Sequence, residues 1–477
     1  AGAGANGWTD SLVNNIDNKP LRTVIVEQVE SIADLANIAK TNGRTVIAKS
    51  YNAPNYALAK PFDGGGGPVI YDASKADIND GGMVINGWVR QADDVKVEYF
   101  GARGDGVTDD YQAIQTAANF CAKNSKALLF GDSVYVCNSK VVIDSAVTYF
   151  KTVRLIGTYR GTGSAAGYAP NIANSGTTIL VNDNDFIEVQ IKRWFNENII
   201  LDGFAIVNTA TTIARSAIKL SKGDFANYPE ENRYVSNNMF NNIATYGFER
   251  GIVFSGNYTK AMTGTSYLWN YFGPTELNNF YPYNGKHGIV LENATLNRLS
   301  VNRSLFFCLS SGAIVTTKKD ANSHESVLMC QLNFVHFESC RGIFRLGMGA
   351  APSDGSRNHV TMIDVTREVC GLYDGKAGSP YGVVINTDLQ IKGRHDVLGY
   401  LEEDFVALGE GSTLLSDIKM KARILPEGGK SLSPSRINVD SKSYVIDAQS
   451  TKIISVVAAD SNEQFDLVVT IKLNDGN

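Results

Sequence analysis

A short phrase recurs five times in the second half of the chain, and it limits the possible folds more than any other feature. Each copy holds a glycine followed by apolar residues: RGIVF (250–254), HGIVL (287–291), SGAIV (311–315), RGIFRL (341–346) and YGVVI (381–385). Successive glycines are 37, 24, 30 and 40 residues apart. An irregular period of this kind is typical of coils of three short strands that carry loops at one corner. The phrase therefore predicts a solenoid, in which each coil buries its apolar side chains against the next.

The segments before two copies of the phrase also match each other. Asn242–Gly251 and Asn333–Gly342 share an asparagine, apolar and aromatic positions and a final Arg-Gly at identical spacing. A β-sandwich also alternates strands with turns, but it does not explain this recurrence. Residues 401–477 lose the phrase and hold alternating strand patterns, which predict a small C-terminal β domain.

The segment GARGDGVTDDYQAIQTAANFCAK (101–123) combines a glycine-rich turn, three aspartates and an alanine-rich amphipathic run. Thr108 is a suitable N-cap, and acidic residues in the first turn complement the helix dipole. The spacing lacks the alternation and terminal glutamate of an EF-hand calcium loop. We predict a helix over 108–123 and interpret Asp105, Asp109 and Asp110 as structural residues with no catalytic or metal-binding role.

Residues 27–97 form a separate small unit in the sequence, after a polar lead-in or linker at 1–26. Ser31 and Asp34 resemble a capping box at the start of a helix, and a strand follows at 45–51. Four glycines at 64–67 precede PVIYD, and the turn at 79–82 leads into MVINGWVRQ. The unit is therefore predicted to be a compact α/β domain.

Two of these motifs resemble a known family. FGARGDGVTDD, the amphipathic helix and the following Val-Tyr-Val strand resemble the entry to the pectate-lyase-like right-handed parallel β-helix, and the preceding unit resembles the neck of bacteriophage tailspikes. The resemblance implies a mainly β fold: a neck at 27–97, a right-handed parallel β-helix at 98–400 whose N-terminal end the helix covers, and a C-terminal β domain at 401–477.

The same resemblance implies a function. Tailspikes are homotrimeric virion proteins that bind, and usually cleave, a capsule, exopolysaccharide or O-antigen on the host surface. We therefore expect a polysaccharide depolymerase that acts outside the host cell. We also expect attachment to the phage tail or baseplate through an N-terminal region that this sequence lacks.

Glycoside hydrolysis needs two carboxyl groups, one protonated and one ionised. Equivalent positions on neighbouring coils lie about 4.8 Å apart, so a β-helix supplies such pairs. FESCRG (337–342) aligns with REVCG (367–371), which pairs Glu338 with Glu368. Strand alternation with Val335, Phe337, Ile363, Val365 and Val369 inward places three acids and a histidine on one outer face. The predicted catalytic residues are Glu338, Glu368 and Asp364, with His336 as a substrate-binding residue; the alternative is a set of ordinary surface charges.

A second candidate region is the segment 255–286, which holds eight aromatic residues. Aromatic rings stack on the C–H faces of sugars, so the segment is predicted to be an insertion that binds glycan; the alternative is packing of a loop or a trimer contact. Glu276 is a rival acid, and two arginines at equivalent positions are suited to a sugar carboxylate or to structural stacking. The predicted substrate-binding residues are His336, Arg341, Arg250, Trp269, Tyr267, Tyr271, Tyr281 and Glu276.

Other functions are less consistent with the sequence. A lyase of the same fold and a fibre that binds glycan without cleavage remain alternatives. A net charge of −5 without a long basic run argues against a nucleic-acid partner. No apolar run has the length of a membrane span. The six cysteines are scattered without zinc spacing and are predicted to be buried apolar residues, and no metal or cofactor is expected.

Overall fold

The computed structural model describes residues 27–57, 61–148, 152–161, 176–192, 198–211, 213–222, 237–256, 271–317, 326–327, 329–338, 340, 342–345, 359–363 and 365–368, and beyond these the strands named below. Most described residues lie in β-strands, and the strands form long parallel sheets. The predicted fold class, a mainly β parallel β-helix after a small N-terminal domain, is confirmed.

The first domain is a five-stranded sheet with the strand order β1-β2-β3-β5-β4. Its strands are β1 (Glu27–Ser31), β2 (Thr45–Ser50), β3 (Gly67–Tyr71), β4 (Val84–Ile85) and β5 (Trp88–Arg90). Val46, Val69 and Trp88 fill its core. Asp34 accepts a hydrogen bond from the backbone amide of Ser31 at 2.9 Å, as the capping pattern predicts. The helix that follows is a single 3-10 segment, Ala33–Asn37, and is shorter than the sequence suggested.

The remaining strands build the solenoid and its C-terminal continuation. In chain order they are β6 (Val95–Lys96), β7 (Asp105–Asp109), β8 (Ala127–Leu129), β9 (Val134–Val136), β10 (Val141–Asp144), β11 (Val153–Ile156), β12 (Thr178–Val181), β13 (Ile187–Ile191), β14 (Ile199–Asn208), β15 (Ser216–Lys222), β16 (Asn238–Tyr246), β17 (Arg250–Ser255), β18 (Tyr271–Phe272), β19 (Thr275–Gly285), β20 (His287–Glu292), β21 (Thr295–Leu296), β22 (Leu299–Asn302), β23 (Leu305–Leu309), β24 (Gly312–Thr317), β25 (Ser326–Val327), β26 (Cys330–Asn333), β27 (His336–Glu338), β28 (Gly342–Arg345), β29 (His359–Ile363), β30 (Thr366–Glu368), β31 (Val383–Ile385), β32 (Asp388–Lys392), β33 (Val397–Leu398), β34 (Val406–Leu408), β35 (Thr413–Ser416), β36 (Met420–Ile424), β37 (Leu432–Val439), β38 (Lys442–Ala448) and β39 (Ile453–Val456).

Three faces follow one another in each coil. The first face, which holds for example β22 and β26, and the second face, which holds β23 and β27, belong to one large sheet that bends at a corner. The third face is an eleven-stranded sheet. In the coil of β16 and that of β19, one long strand crosses the corner, whereas later coils use a separate strand on each side. The corner residues have left-handed backbone angles, and they are Gly203, Asn242, Asn279, Arg303 and Phe334.

The third face confirms the repeat that the glycine phrase predicted. β17, β20, β24, β28 and β31 are consecutive parallel neighbours in its sheet. Ile252 is the register partner of Ile289, which in turn pairs with Ile314. Gly312 pairs with Gly342. The five copies of the phrase therefore lie on five adjacent strands of one sheet.

Asparagine side chains form a ladder on the outer side of the first face, immediately before the corner. Asn278 Nδ2 donates to Asn241 Oδ1 at 2.9 Å, Asn302 Nδ2 donates to Asn278 Oδ1 at 2.9 Å, and Asn333 Nδ2 donates to Asn302 Oδ1 at 2.7 Å. Each side chain lies on its own coil, in register with the next. The ladder therefore ties four successive coils together.

Ile363 corrects one predicted orientation. The sequence pattern placed Ile363 inside the solenoid, but the buried residues of β29 are Val360 and Met362. Ile363 is half-buried and is the register partner of Asn333, so it occupies the ladder position on the next coil. Val365, which lies between β29 and β30, is buried as predicted.

The helix α1 (Tyr111–Asn124) covers the end of the solenoid. Ile114, Ala117, Ala118 and Cys121 are its buried stripe and belong to the main core. The helix begins three residues later than predicted, because residues 105–109 form β7 and Asp110 occupies the N-cap position. Thr108 is therefore not the cap. A second helix, α2 (Ser145–Thr148), is one turn long.

Strands beyond residue 400 extend the solenoid sheets. β34 pairs in parallel with β31, and β35 pairs in parallel with β32. The pairings of β36 with β39 and of β37 with β38 are antiparallel. The domain boundary at 401 stays a prediction.

Candidate active site

Glu338 and Glu368 occupy equivalent positions on neighbouring coils. Glu338 ends β27, Glu368 ends β30, and the two residues are register partners in a parallel pair of strands. Neighbouring strands in a sheet lie about 4.8 Å apart. The register that the alignment of FESCRG with REVCG predicted is confirmed. The catalytic role of this pair stays a prediction.

The core determines which way the side chains of β27 point. Phe337 is fully buried, and its ring stacks on Phe306 at 5.0 Å between centroids. Because side chains alternate along a strand, His336 and Glu338 point outward, and both are half-buried. His336 Nε2 lies 3.8 Å from Glu338 Oε2. An imidazole and a carboxylate therefore share this part of the second face.

Aromatic rings continue the same face toward the N-terminus. Tyr283, Phe307 and Glu338 are register partners on three successive coils. The rings of Tyr281 and Tyr283 are nearly parallel, with 11° between planes and 6.4 Å between centroids, and Phe307 lies 6.0 Å from Tyr283. We call Tyr281, Tyr283, Phe307, His336 and Glu338 the β27 face. It presents an aromatic platform, the stacked rings of Tyr281 and Tyr283, and the buried Phe307 lies between this platform and the carboxylate of Glu338.

The electrostatics of Tyr283 link the platform to the carboxylate. Burial raises the pKa of Tyr283 to about 12, and the nearby Tyr281 and Glu338 contribute in the same direction. Tyr283 is therefore a neutral hydrogen-bond donor at physiological pH and is not suited to act as a base. The dependence on Glu338 also shows that the phenol and the carboxylate are close enough to interact.

The platform packs against a small cluster of buried side chains on the second face. Tyr159 is almost fully buried and packs with Ala205 and Ala244, against which Tyr281 and Tyr283 also pack. A β-carbon on Gly161 would lie 2.8 Å from Tyr281 Cε2. The small residues on the preceding coils therefore leave the space that the tyrosine rings occupy.

The segment 255–286 is not a continuous insertion. Its second half contains β18 and all of β19, so Tyr281 lies in a wall of the solenoid. The reason is alternation after the corner, because Phe280 is fully buried and Tyr281 and Tyr283 then face outward. Tyr283 and Phe307 were not predicted as site residues. The register between successive coils aligns both residues with Glu338, and this alignment could have identified them.

Two other predicted residues lie away from the β27 face. Arg250 is on the third face, where Nη1 hydrogen-bonds Glu292 Oε1 and Nε lies 3.9 Å from Glu249 Oε2. Glu276 is exposed on the first-face half of β19, with Ser300 as its partner on the next coil. Arg250 therefore fits the structural alternative, and Glu276 is separated from Tyr281 by the corner.

Four predicted residues lie outside the described residues: Asp364, Arg341, Tyr267 and Trp269. For Tyr271 in β18 and Glu368 in β30 the structure gives the strand position only. Their predicted roles stay predictions.

The three aspartates of the opening motif bind backbone amides. Asp105 accepts from the amides of Val107 and Thr108. Asp109 accepts from the amide of Tyr111 at 3.1 Å. The carboxylate of Asp110 accepts from the amides of Arg103 and Gly104, at 2.6 and 3.2 Å. These contacts fix the turn that leads into α1.

Burial dominates the electrostatics of Asp110. Only 2 % of the residue is exposed, and burial raises its pKa to about 7 although the two amides act in the opposite direction.

A separate cavity of about 390 Å³ lies where the first domain meets the first coil. Its lining includes Asp63, Lys96, Glu98, Arg103 and Phe130. Tyr135, a fully buried residue, donates a hydrogen bond to Glu98 beside it. None of the residues predicted as a site lines this cavity.

Neither a metal-binding cluster nor a membrane-spanning helix occurs in the described part of the chain. In that part, no three side chains among His, Cys, Asp and Glu converge as a metal site would require. The longest helix among the same residues, α1, has 14 residues, and none has the length and apolarity to span a bilayer.

Comparison with known proteins supports the resemblance seen in the motifs. Residues 28–93, which include most of β1 and all of β2–β5, match the phage tail protein small four-stranded beta-sheet domain. The chain is 33% identical over 110 residues to the capsule K30/K69-specific depolymerase 1 of Klebsiella phage K5-2. That match spans 23% of this chain and only 13% of the length of the relative.

The fold is shared with a solved tailspike structure. The gp42 tailspike of Acinetobacter phage vb_AbaP_AS12 matches with a TM-score of 0.51 and 15% identity, over 93% of this chain and 79% of that chain. The tailspike protein of Acinetobacter phage vB_ApiP_P1 gives a TM-score of 0.46 and 14% identity, over 87% of this chain and 70% of that chain. The predicted resemblance to phage tailspikes is confirmed by the domain match and by the fold of the gp42 tailspike.

Proposed function

We propose that this chain is a phage tailspike that binds and depolymerises a bacterial surface polysaccharide by glycoside hydrolysis. The phage-tail domain at residues 28–93, the tailspike fold and the relative named as a capsule depolymerase support this proposal. The same matches support a location in the virion tail and action on the surface of the host. A homotrimer attached to the tail or baseplate through an N-terminal region is part of the proposal.

One observation carries the catalytic assignment. Glu338 and Glu368 are register partners, and Glu338 lies on the same face as the outward rings of Tyr281 and Tyr283. Aromatic platforms bind the apolar faces of sugar rings, and paired carboxyls cleave glycosidic bonds. A sugar that stacks on Tyr281 and Tyr283 would have its next linkage near the two glutamates.

The proposed chemistry divides the work between the two carboxyls. One protonates the oxygen of the leaving sugar, and the other, ionised, attacks the anomeric carbon or activates a water molecule. A separation of about 5–5.5 Å between carboxyls would favour retention of configuration, and about 6.5–9.5 Å would favour inversion. Asp364 is the proposed third acid, because a diagonal pair with Glu338 would have the longer separation.

The other groups on the face have binding roles in this proposal. His336, 3.8 Å from Glu338, holds the carboxylate or a sugar hydroxyl. Tyr283, whose pKa is raised to about 12, stays protonated and donates to a hydroxyl. The remaining predicted binding residues, Tyr267, Trp269, Tyr271 and Arg341, are proposed to extend the sugar contacts.

The test is depolymerisation by the full chain. Purified capsular polysaccharides, beginning with the Klebsiella K30 and K69 types named for the relative, are incubated with the protein, and released reducing ends are measured. Glu338→Gln and Glu368→Gln keep the shape of the side chain and remove proton transfer. Each is expected to lower turnover by about 10²–10⁴-fold. Asp364→Asn and the rival Glu276→Gln are assayed in parallel.

Glu249→Gln is the matched control, because Glu249 is a half-buried glutamate on an earlier coil, at the turn before β17, and is paired with Lys286. It is expected to retain activity. Full activity of both Glu338→Gln and Glu368→Gln would refute the catalytic assignment. Products with near-ultraviolet absorbance would identify a lyase. Binding without loss of polymer viscosity across the panel would identify an adhesive fibre.

A further inference from the structure

The corner beside the β27 face carries two unusual residues on adjacent coils. Arg303 and Phe334 follow Asn302 and Asn333, which are register partners. Both have left-handed backbone angles, with φ of +49° and +54°. Earlier coils place Gly203, Asn242 and Asn279 at this position, and these residue types tolerate the conformation best. An arginine and a phenylalanine at the same corner are energetically unfavourable and need another explanation.

The side chain of Phe334 is exposed. It is 62% accessible, among the most exposed large apolar residues of the described chain. It lies two residues before His336 and four before Glu338, so it borders the proposed site. An aromatic ring that is both exposed and held in an unfavourable backbone conformation contributes little to the core, and a ligand that stacks on it would account for both features.

Arg303 occupies the corner of the coil that follows the coil of Tyr281. Its exposed guanidinium is close enough to Tyr281 to lower the pKa of that phenol, although burial raises it more. Among the residues that the structure describes, Arg303 has no ion-pair partner, whereas Arg250 is paired with Glu292. The positive charge of Arg303 is therefore available to a ligand that lies on Tyr281.

We propose that Arg303 and Phe334 form a subsite for an acidic sugar, so that the substrate is an anionic polysaccharide. This inference rests on the proposed function and names its substrate class. The sugar ring stacks on Phe334, and its carboxylate accepts charge-assisted hydrogen bonds from Arg303 on the neighbouring coil, about 4.8 Å away along the solenoid. The linkage to the next sugar then points toward His336 and Glu338.

The test measures binding, so it does not depend on turnover. Methyl glucuronide and methyl galacturonide, as sodium salts, are titrated against the intact protein by saturation-transfer NMR, together with the neutral methyl glucoside and methyl galactoside. The wild type is expected to prefer at least one acidic sugar over its neutral counterpart. Because hydrogen bonds to charged groups are stronger than neutral ones, Arg303→Gln should weaken acidic-sugar binding by about tenfold and abolish the preference. Phe334→Ser should weaken binding of both kinds of sugar.

Matched controls lie at the other end of the same strands. Arg298 is exposed just before β22, and Met329 is exposed just before β26. Arg298→Gln and Met329→Ser should leave binding unchanged.

Three results would overturn the proposal: no acidic preference in the wild type, an acidic preference that survives Arg303→Gln, or loss of the oligomer in Phe334→Ser seen by light scattering. Acid-selective binding without cleavage of any polysaccharide would instead contradict the proposed function alone.

Discussion

Removal of one asparagine from the ladder should destabilise the solenoid more than its partial exposure suggests. Asn302 is an inner rung: its Nδ2 donates to Asn278 and its Oδ1 accepts from Asn333. Asn302→Ala removes both hydrogen bonds. It also leaves an acceptor on Asn278 and a donor on Asn333 without their partners.

The expected magnitude follows from these two bonds. A hydrogen bond contributes about 0.5–1.5 kcal/mol net, and an orphaned buried group costs about 1–3 kcal/mol. The ladder side chains are half-buried, so water can satisfy part of the lost bonding, and the lower values apply. We expect the free energy of unfolding to fall by roughly 2 kcal/mol.

The measurement is urea unfolding followed by circular dichroism, or the unfolding rate at fixed urea if refolding is incomplete. Asn182→Ala is the control, because Asn182 is exposed and lies outside the ladder. A difference below about 0.5 kcal/mol, the usual range for surface substitutions, would refute the ladder argument.

Three further predictions concern pH, assembly and the core. The pKa of Asp110 is raised from 3.8 to about 7, so the folded state holds this proton more tightly than the unfolded state. The contribution of this proton to the free energy of unfolding is complete below pH 3.8 and is lost as the pH rises through 7. Relative to Asp110→Asn, the wild type should lose up to roughly 4 kcal/mol across that window in thermal or urea unfolding, and parallel curves would contradict this. Light scattering should give about three times the chain mass of 51.6 kDa, and a stable monomer at micromolar concentration would refute the trimer. Phe337→Ala leaves a cavity at a fully buried position next to Glu338. It should lower the free energy of unfolding by about 3–5 kcal/mol in the same measurement. A decrease of less than about 1 kcal/mol would show that the packing of Phe337 on Phe306 does not support the site.

The alignment of FESCRG with REVCG predicted the register of Glu338 with Glu368. The repeat phrase predicted the third face, because stacked coils must align their buried glycine and apolar positions. It did not predict the position of every corner. The matched segments aligned Asn333 with Asn242, but in the structure the column of Asn242 continues through Asn279 and Arg303 to Phe334. The segment from Phe334 to Gly342 is one residue shorter than the corresponding segment from Asn242 to Gly251. A single deletion at a bend does not disturb the apolar pattern on either side, so the sequence contains no local signal for it.

The candidate site was predicted in part for the same reason. Glu338 and His336 are outward because their neighbours Val335 and Phe337 are apolar, and local alternation is sufficient to predict that. Tyr283 and Phe307 were missed, because their proximity to Glu338 depends on register between coils of unequal length. Arg303 and Phe334 were missed because their importance arises from left-handed backbone angles at a corner, which composition does not reveal.

In the coils that begin at Asn241, Asn278 and Asn302, the differences in length are confined to one edge of the solenoid. From Asn241 to Gly251, from Asn278 to Gly288 and from Asn302 to Gly312, the chain advances by ten residues each time, although the full coils between these glycines have 37 and 24 residues. In these three coils the variable part lies between the third face and the next first face. Insertions and deletions there change the rim and leave the bend and the second face in place. Loops of different length can therefore be exchanged at this edge while the strand that carries Glu338 keeps its place in the sheet.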